Sequence, residues 1–296
     1  MNVSAARPCP LCGGGADTRA FPYVTHFNFA QFNYLKCSAC YGVFVDPVPD
    51  SQTFAKMYAK ADYHDRYYEG SEGGAYSESA KFLQKYLSAG ATVLDYGCGV
   101  GAFLKALAQE GFIPYGVEFD EDASRFAGQN TNCETFSVDQ FLALADKPKF
   151  DAIHLGDVIE HLPDPASTFK YLLGYLKPGG VLFVEGPLEI NPSPVYWAAH
   201  TFGWIKRIVK PHFVASHAPT HLFRTGARQQ LAFFRRAELR LDLLSWFVYE
   251  TGWPYASGGA VKRAIAGAAR LMSGRRLFGV ILGDRFRGVF RVTVHP

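Results

Sequence analysis

Residues 93–101 read Val-Leu-Asp-Tyr-Gly-Cys-Gly-Val-Gly: an apolar strand end, a turn with glycine at every second position, and then an apolar helical run from about Ala102 to Glu110. Glycines in such a turn adopt backbone angles closed to other residues and let the chain approach a ligand closely. The first amides of the following helix then point at that ligand. This is the signature of a strand passing into a helix at the carboxyl edge of a parallel sheet.

The surrounding chain agrees. A helical stretch from 77 to Ser88 precedes the strand Thr92–Tyr96, and the strand Ile113–Glu118 follows the glycine helix. A helix from Glu121, a short strand near Glu134–Val138 and a helix over Gln140–Ala145 come next. The apolar strand Phe150–Gly156 leads to a helix over Pro165–Leu176, which Lys177-Pro-Gly-Gly180 is expected to stop and turn into the strand Val181–Glu185. Strands and helices alternating at this spacing predict an α/β fold, a doubly wound parallel sheet covered on both faces. Beyond it lie an aromatic helix Val195–Val209 and strands at Leu239–Val248 and Gly288–Val294.

With 48% hydrophobic and 19% charged residues, the chain is an ordinary folded protein. Its net charge of +3 is too mild for an extended nucleic-acid footprint. Neither a signal-peptide core nor a long apolar run stands in the sequence, so a cytoplasmic location is the expectation. In that reducing compartment the six cysteines are read by spacing rather than as disulfides.

Two cofactors fit the glycine turn, because Gly97, Gly99 and Ala102 also satisfy the dinucleotide pattern. Asp95 separates them: a carboxylate there repels a pyrophosphate but attracts the ammonium and sulfonium of S-adenosylmethionine. Glu118 ends the next strand, where an acid can hold ribose hydroxyls for either ligand. Asp139 follows the third strand and is placed either to accept from an adenine amine or to cap the helix Gln140–Ala145. Cys98 reads as packing within the turn, and Cys133 has no cysteine nearby.

Four motifs in order resemble the seven-strand S-adenosylmethionine-dependent methyltransferases over roughly residues 77–186. They are Val93–Gly101, the acid Glu118, Phe150-Asp-Ala-Ile-His-Leu-Gly-Asp-Val-Ile-Glu-His-Leu162, and Leu176-Lys-Pro-Gly-Gly180. The resemblance implies strand order 3-2-1-4-5-7-6 with the last strand antiparallel. It also implies cofactor contacts at Asp95, Gly97, Gly99, Glu118, Asp139, Gly156 and Asp157.

The remaining four cysteines form Cys9-Pro-Leu-Cys12 and Cys37-Ser-Ala-Cys40, each with a nearby glycine, Gly13 or Gly42, for a sharp turn. Two such pairs predict a tetrahedral thiolate Zn2+ site without an open coordination position, hence a structural one. Basic residues are few in this segment, only Arg7, Arg19 and Lys36 through residue 45, a poor surface for phosphates. The expected organisation is a zinc ribbon over 1–45, a tyrosine-rich linker or cap over 46–76, and a methyltransferase domain over 77–296. Within that domain a substrate lid is expected over about 187–235 and a helical insertion over about 249–280. The arrangement is similar to bacterial methyltransferases that act on sugar nucleotides, polysaccharide sugars and related metabolites. One branch methylates sugar carbon but carries a further large C-terminal domain, for which this chain leaves no room, so O-methylation is expected at least as much as C-methylation.

Methyl transfer needs alignment first, and a base only where the acceptor must lose a proton. His161, in Glu160-His161, stands after the fourth strand at the ligand-binding edge, although a packing role is open to it. His221 precedes Leu222-Phe223, where the resembling sugar methyltransferases carry a basic histidine. Tyr67, with Tyr63 and Tyr68, is placed either to close over the cofactor and acceptor or to fill core. Glu160, His161, His217 and His221 are also a candidate divalent-cation set. Two basic, partly amphipathic stretches, Tyr196–Lys210 and Val261–Arg276, suit either a peripheral membrane contact or a packed substrate lid. The expected function is methyl transfer to an oxygen or carbon of a sugar-containing or other small molecule. The alternatives are an RNA or protein methyltransferase whose ribbon reads the macromolecule, and a non-catalytic module that keeps the cofactor site.

Overall fold

A computed structural model describes residues 6–58, 73–146, 148–209, 215–236, 239–277 and 279–293. Strands β1 (Ala16–Phe27), β2 (Ala30–Cys37) and β3 (Val43–Asp46) form an antiparallel meander. Helices α1 (Ser51–Tyr58) and α2 (Gly73–Leu83) precede the alternating region. That region runs β4 (Thr92–Tyr96), α3 (Ala102–Gln109), β5 (Ile113–Glu118), α4 (Glu121–Thr131), β6 (Glu134–Ser137), α5 (Val138–Leu142), β7 (Phe150–Gly156), a single 3-10 turn (Ile159–His161), α6 (Pro165–Leu173) and β8 (Leu176–Pro187). Then come α7 (Pro194–Val209), the short strands β9 (Ala215–Ser216) and β10 (Phe223–Arg224), α8 (Ala227–Phe234), β11 (Leu241–Tyr249) and α9 (Ala260–Leu271). The hairpin strands β12 (Arg276–Leu277) and β13 (Val280–Ile281) lead to β14 (Arg285–Val292).

Seven strands make one sheet in the order β11-β14-β8-β7-β4-β5-β6. Counted within the sheet this is 3-2-1-4-5-7-6, and β14 runs antiparallel to both its neighbours, as expected. The central strands are buried on both faces, which is why they read as unbroken apolar runs rather than alternating ones. Leu94, Ile153, Leu182 and Val184 pack on one side with Phe169, Phe233 and Phe234. Their neighbours Val93, Ala152, Val181 and Phe183 pack on the other with Phe82, Phe103, Leu107 and Val289. Neighbouring residues thus serve opposite layers, the period of two of an extended chain.

Several boundaries differ from expectation: the helix expected from 77 to Ser88 is α2, Gly73–Leu83, and the last two strands of the sheet are shifted by one to three residues. The helix before the fifth strand ends at Leu173, and Lys177-Pro-Gly-Gly180 lies inside β8 as an irregularity: Phe150 pairs with Leu176, but Ala152 pairs with Val181. Gly179, at φ +75°, takes up the extra residues. The helix placed at Gln140–Ala145 is α5, Val138–Leu142, and its cap is Ser137, not Asp139. Ser137 accepts from the Gln140 amide while the Gln140 side chain accepts from the Ser137 amide, a reciprocal pair that fixes the start two residues before Asp139.

The cysteine segment belongs to a second sheet of order β10-β3-β2-β1-β9. Its outer strands come from residues 215–224, within the stretch expected to form a lid: Thr25 pairs with Ala215, and Phe44 with Phe223. In the first knuckle Gly13 takes φ +76°, but in the second the left-handed residue is Tyr41, at +63°, rather than Gly42. Gly42 is needed for space instead, because a Cβ there would come within 3.0 Å of Leu11.

Candidate active site

The site is built at the carboxyl ends of β4, β5, β7 and β8. After β4, Gly97 takes φ +89° and its amide donates to Val117 O at 2.7 Å, tying the turn to β5. A Cβ on Gly97 would lie 2.3 Å from Val158 Cγ2, so only glycine fits between this turn and the loop after β7. Gly101 precedes α3 in a left-handed conformation and supplies no side-chain cap, leaving that helix end to a ligand or water. Glu118 ends β5 beneath the turn: Oε2 accepts from the Gly99 amide at 2.8 Å and Oε1 from the Phe119 amide at 2.7 Å. Cys98 is buried against Leu104 and Ala127, a packing role.

Asp95 is buried and held from below. Its Oδ1 lies 2.7 Å from His154 Nδ1, and His154 Nε2 lies 3.5 Å from Glu185 Oε2. Glu185 is in turn bound by Arg287 Nε at 2.6 Å, and Arg287 Nη2 donates to Ser79 Oγ. Charges therefore alternate across three strands, β4, β7 and β8, and on to β14. Burial alone would lower the His154 pKa, but Asp95 and Glu185 outweigh it and raise it to about 9. The imidazole lies between the rings of Phe103 at 4.1 Å and Phe183 at 4.9 Å.

A second cluster closes the same edge. The 3-10 turn after β7 presents Glu160 and His161, and the chain entering β10 presents His221, whose ring centroid is 4.9 Å from that of His161. His161 Nδ1 donates to Thr220 O at 2.7 Å, a carbonyl that also accepts from Tyr58 Oη at 2.6 Å. His221 Nδ1 donates to Glu189 Oε2 at 2.9 Å, and Arg224 stands 3.4 Å from Glu189 Oε1. Burial and the neighbouring His221 depress His161 to about 3. Burial also opposes charge on His221, yet Glu189 overrides it and lifts His221 to about 9. Glu160 is pushed up by burial, and its Oε2 has no hydrogen-bond partner among the described residues. The cluster thus joins a neutral imidazole, a charged one and a carboxyl raised out of its usual range.

Of the residues singled out in the sequence, Asp95, Gly97, Gly99, Glu118, Gly156 and Asp157 lie along this edge. Asp157, at φ +53°, is gripped through both carboxylate oxygens by Arg285 of β14 at 2.6 and 2.7 Å. Asp139 is exposed in the first turn of α5. Glu160, His161 and His221 meet with donor atoms within 4.8 Å of one another, a spacing also open to one divalent cation. His217 is not among them; its carbonyl accepts from Thr25 Oγ1 on β1, because β9 carries the preceding residues along the cysteine sheet. Tyr67 lies outside the described residues, as do Tyr63 and Tyr68. Sequence reasoning gave no role to His154, Glu185, Glu189, Arg285, Arg287 or Tyr58. A signal existed for two of them: His154 interrupts a buried apolar strand, and Glu185 ends another.

The four paired cysteines also converge. Cys9 Sγ lies 3.7 Å from Cys40 Sγ, and Cys12 Sγ 3.5 Å from Cys37 Sγ. Tetrahedral zinc with sulfur ligands at ~2.3 Å would set them about 3.8 Å apart, so the donor set fits. Amides of Cys40 and Gly42 point at Cys37 Sγ and Cys40 Sγ, contacts that favour thiolate.

Residues 67–246 match the family model described as Methyltransferase domain. A ubiquinone biosynthesis O-methyltransferase of Xanthomonas campestris pv. campestris is 29% identical over 171 residues, covering 54% of this chain and 67% of the relative. One from Xanthomonas oryzae pv. oryzae is 28% identical over 172 residues, with 55% and 68% covered. Among solved structures, a chain of the complex between the Haloferax volcanii Trm112 methyltransferase activator and a methyltransferase superposes with TM-score 0.54. It is 19% identical and covers 83% of this chain and 99% of that one, a likeness of fold.

Proposed function

The chain belongs to the methyltransferase-domain family and is an S-adenosylmethionine-dependent methyltransferase, and on that premise we propose that it methylates a hydroxyl oxygen of a small molecule. The acceptor class is a sugar-containing metabolite or another hydroxyl compound, with an acidic carbon as the lesser choice. One observation carries the reading: the Glu160, His161, His221 and Glu189 cluster stands at the sheet edge that bears the glycine turn. A proton-handling group of this kind serves an acceptor that must lose a proton, as a hydroxyl does. The named activity of the Xanthomonas relatives, O-methylation, supports the same choice.

S-adenosylmethionine, when bound, supplies an electrophilic methyl carbon on a sulfonium. Gly97 and Gly99 would give it room, Glu118, held by the Gly99 amide, would take its ribose hydroxyls, and Asp95, backed by His154, would face its cationic end. Gly156 and Asp157 complete the pocket from the fourth strand, and Asp139 is the adenine-side acceptor. His221 Nε2 takes the acceptor's proton while Glu189 fixes the ring through Nδ1, the two-part arrangement of a histidine general base. His161, neutral and oriented by Thr220 O, lines the acceptor side. Cys9, Cys12, Cys37 and Cys40 would hold one structural Zn2+.

The test is mass spectrometry of metabolite and glycan extracts incubated with the protein and a donor carrying a deuterated methyl group. A labelled hydroxyl-derived ether in a small molecule is expected. Label confined to RNA or protein would replace the proposal with a macromolecular acceptor read by the ribbon.

A further inference from the structure

Helix α7 leaves an apolar face outside the core. It rests on β1 through Gly203, where a Cβ would lie 2.6 Å from the Phe21 ring, and its other packing partner is α9. At 100° per residue the side away from Gly203 centres on Ile205 and Ile208, flanked by Trp197 and Trp204 on one side and by Phe202 and Val209 on the other. All six are exposed, Phe202 to 66% and Val209 to 70%. Helix α9 buries Ala266 and Ala269 and turns Val261, Ala264, Ala268 and Leu271 outward, with Leu271 at 77% exposure. Contiguous exposure of large side chains on this scale marks a surface that meets something other than water.

Charge selects the occupant. No Asp or Glu occurs in α7 or anywhere in residues 251–283, whereas Lys206, Lys262, Arg263, Arg270 and Arg276 do. The partners of three of these cations are neutral: Lys262 stands over the Tyr255 ring, Arg263 donates to Gly258 O and Arg270 to Thr251 O. A second copy docked on this face would set cations against cations with no acid in either segment to offset them. An anionic lipid surface reverses that balance. Aromatic and aliphatic side chains enter the headgroup boundary, and long basic side chains reach its phosphates.

We propose that α7 and α9 together form a peripheral docking surface for an anionic phospholipid bilayer. The helices lie along the surface rather than crossing it, since among the described residues no helix is long and apolar enough to span a membrane. Helix α7 begins a few residues after Glu189, so docking brings the catalytic edge close to the lipid.

Co-sedimentation of the full chain with vesicles tests this. Pelleting is expected with phosphatidylcholine mixed with phosphatidylglycerol, little with phosphatidylcholine alone, and release as salt rises. Lys262→Gln and Arg276→Gln should each weaken binding about fivefold, the scale for one basic residue at an anionic surface. Trp204→Ser/Ile208→Ser should weaken it at least tenfold, with S-adenosylhomocysteine binding and the unfolding midpoint unchanged as proof of folding. The proposal falls if anionic vesicles leave the protein in the supernatant at low salt, or if these variants pellet like the parent. It falls equally if the double variant only splits a dimer, which would give the face to a second copy.

Discussion

Nδ1 of His154 stands 2.7 Å from Oδ1 of Asp95, and both side chains are buried. The carboxylate beside the glycine turn is therefore fixed by a cation of the protein's own before any ligand arrives. Calorimetry should register S-adenosylmethionine and its demethylated product but not NAD, with Asp95→Ala losing most of that affinity. His154→Asn keeps a donor but removes the charge, and should weaken binding less than Asp95→Ala. Tight NAD binding without the methyl donor would reverse this.

The same histidine predicts a pH dependence of stability. Its folded pKa, about 9, is raised above the ordinary 6.5, so its contribution is complete below pH 6.5 and is lost as pH rises through about 9. The unfolding midpoint should fall across that window in the parent and fall less in His154→Gln. Because His221 shares the sign and the window, His221→Gln serves as the second arm. Equal slopes for parent and His154→Gln would remove His154 as a cause.

As the proposed base, His221 must be neutral to accept a proton, while Glu189 keeps it charged up to about pH 9. Turnover should therefore climb about tenfold per pH unit from neutrality toward 9 and then level. Glu189→Gln removes the stabilising carboxylate, so the break should move to lower pH. His221→Ala should cost roughly a hundredfold in kcat with cofactor affinity nearly intact. A chelator that abolishes turnover while leaving the ribbon's zinc in place would favour a cation at Glu160, His161 and His221 instead.

Gly97→Ala places a methyl group 2.3 Å from Val158 and demands φ +89° of a residue with a side chain. The strain is on the order of 1–3 kcal/mol, and the turn proposed to hold the cofactor has to move. Loss of S-adenosylhomocysteine binding with a modestly lowered Tm is the expected pair of results. Unaltered binding would mean that this turn does not touch the cofactor.

Freshly purified protein should contain one zinc per chain, absent from Cys9→Ser/Cys37→Ser. Because Val45 N donates to Leu222 O at 2.8 Å and β3 pairs with β10, metal loss should reach His221 as well as stability. A cysteine variant that folds, loses zinc and keeps full turnover would separate the two.

Much of the fold was legible because the central sheet is buried on both faces. Apolar runs such as Val181–Val184, set off by glycine and capping residues, disclose strand, turn and helix with little ambiguity. The cysteine pairs were legible because metal ligation demands a local spacing. The charge network was not, since His154, Glu185 and Arg287 are brought together only by the neighbouring of β7, β8 and β14. Glu189 and His221, 32 residues apart, likewise meet through the second sheet. Asp139 misled as a cap because Ser137 and Gln140 compete for the same turn with a two-way hydrogen bond.

Strand β10 closes one edge of the cysteine sheet and β9 the other. During synthesis the segment Cys9–Cys40 leaves the ribosome well before residues 215–224, a delay of roughly ten seconds or more at ordinary elongation rates. Throughout that interval two strands present unpaired edges, each a template for a wrong neighbour. Metal captured early would hold the half-made sheet in register until its last strands arrive. Zinc withheld during translation should then lower the yield of native protein more than the same chelator applied to the finished molecule.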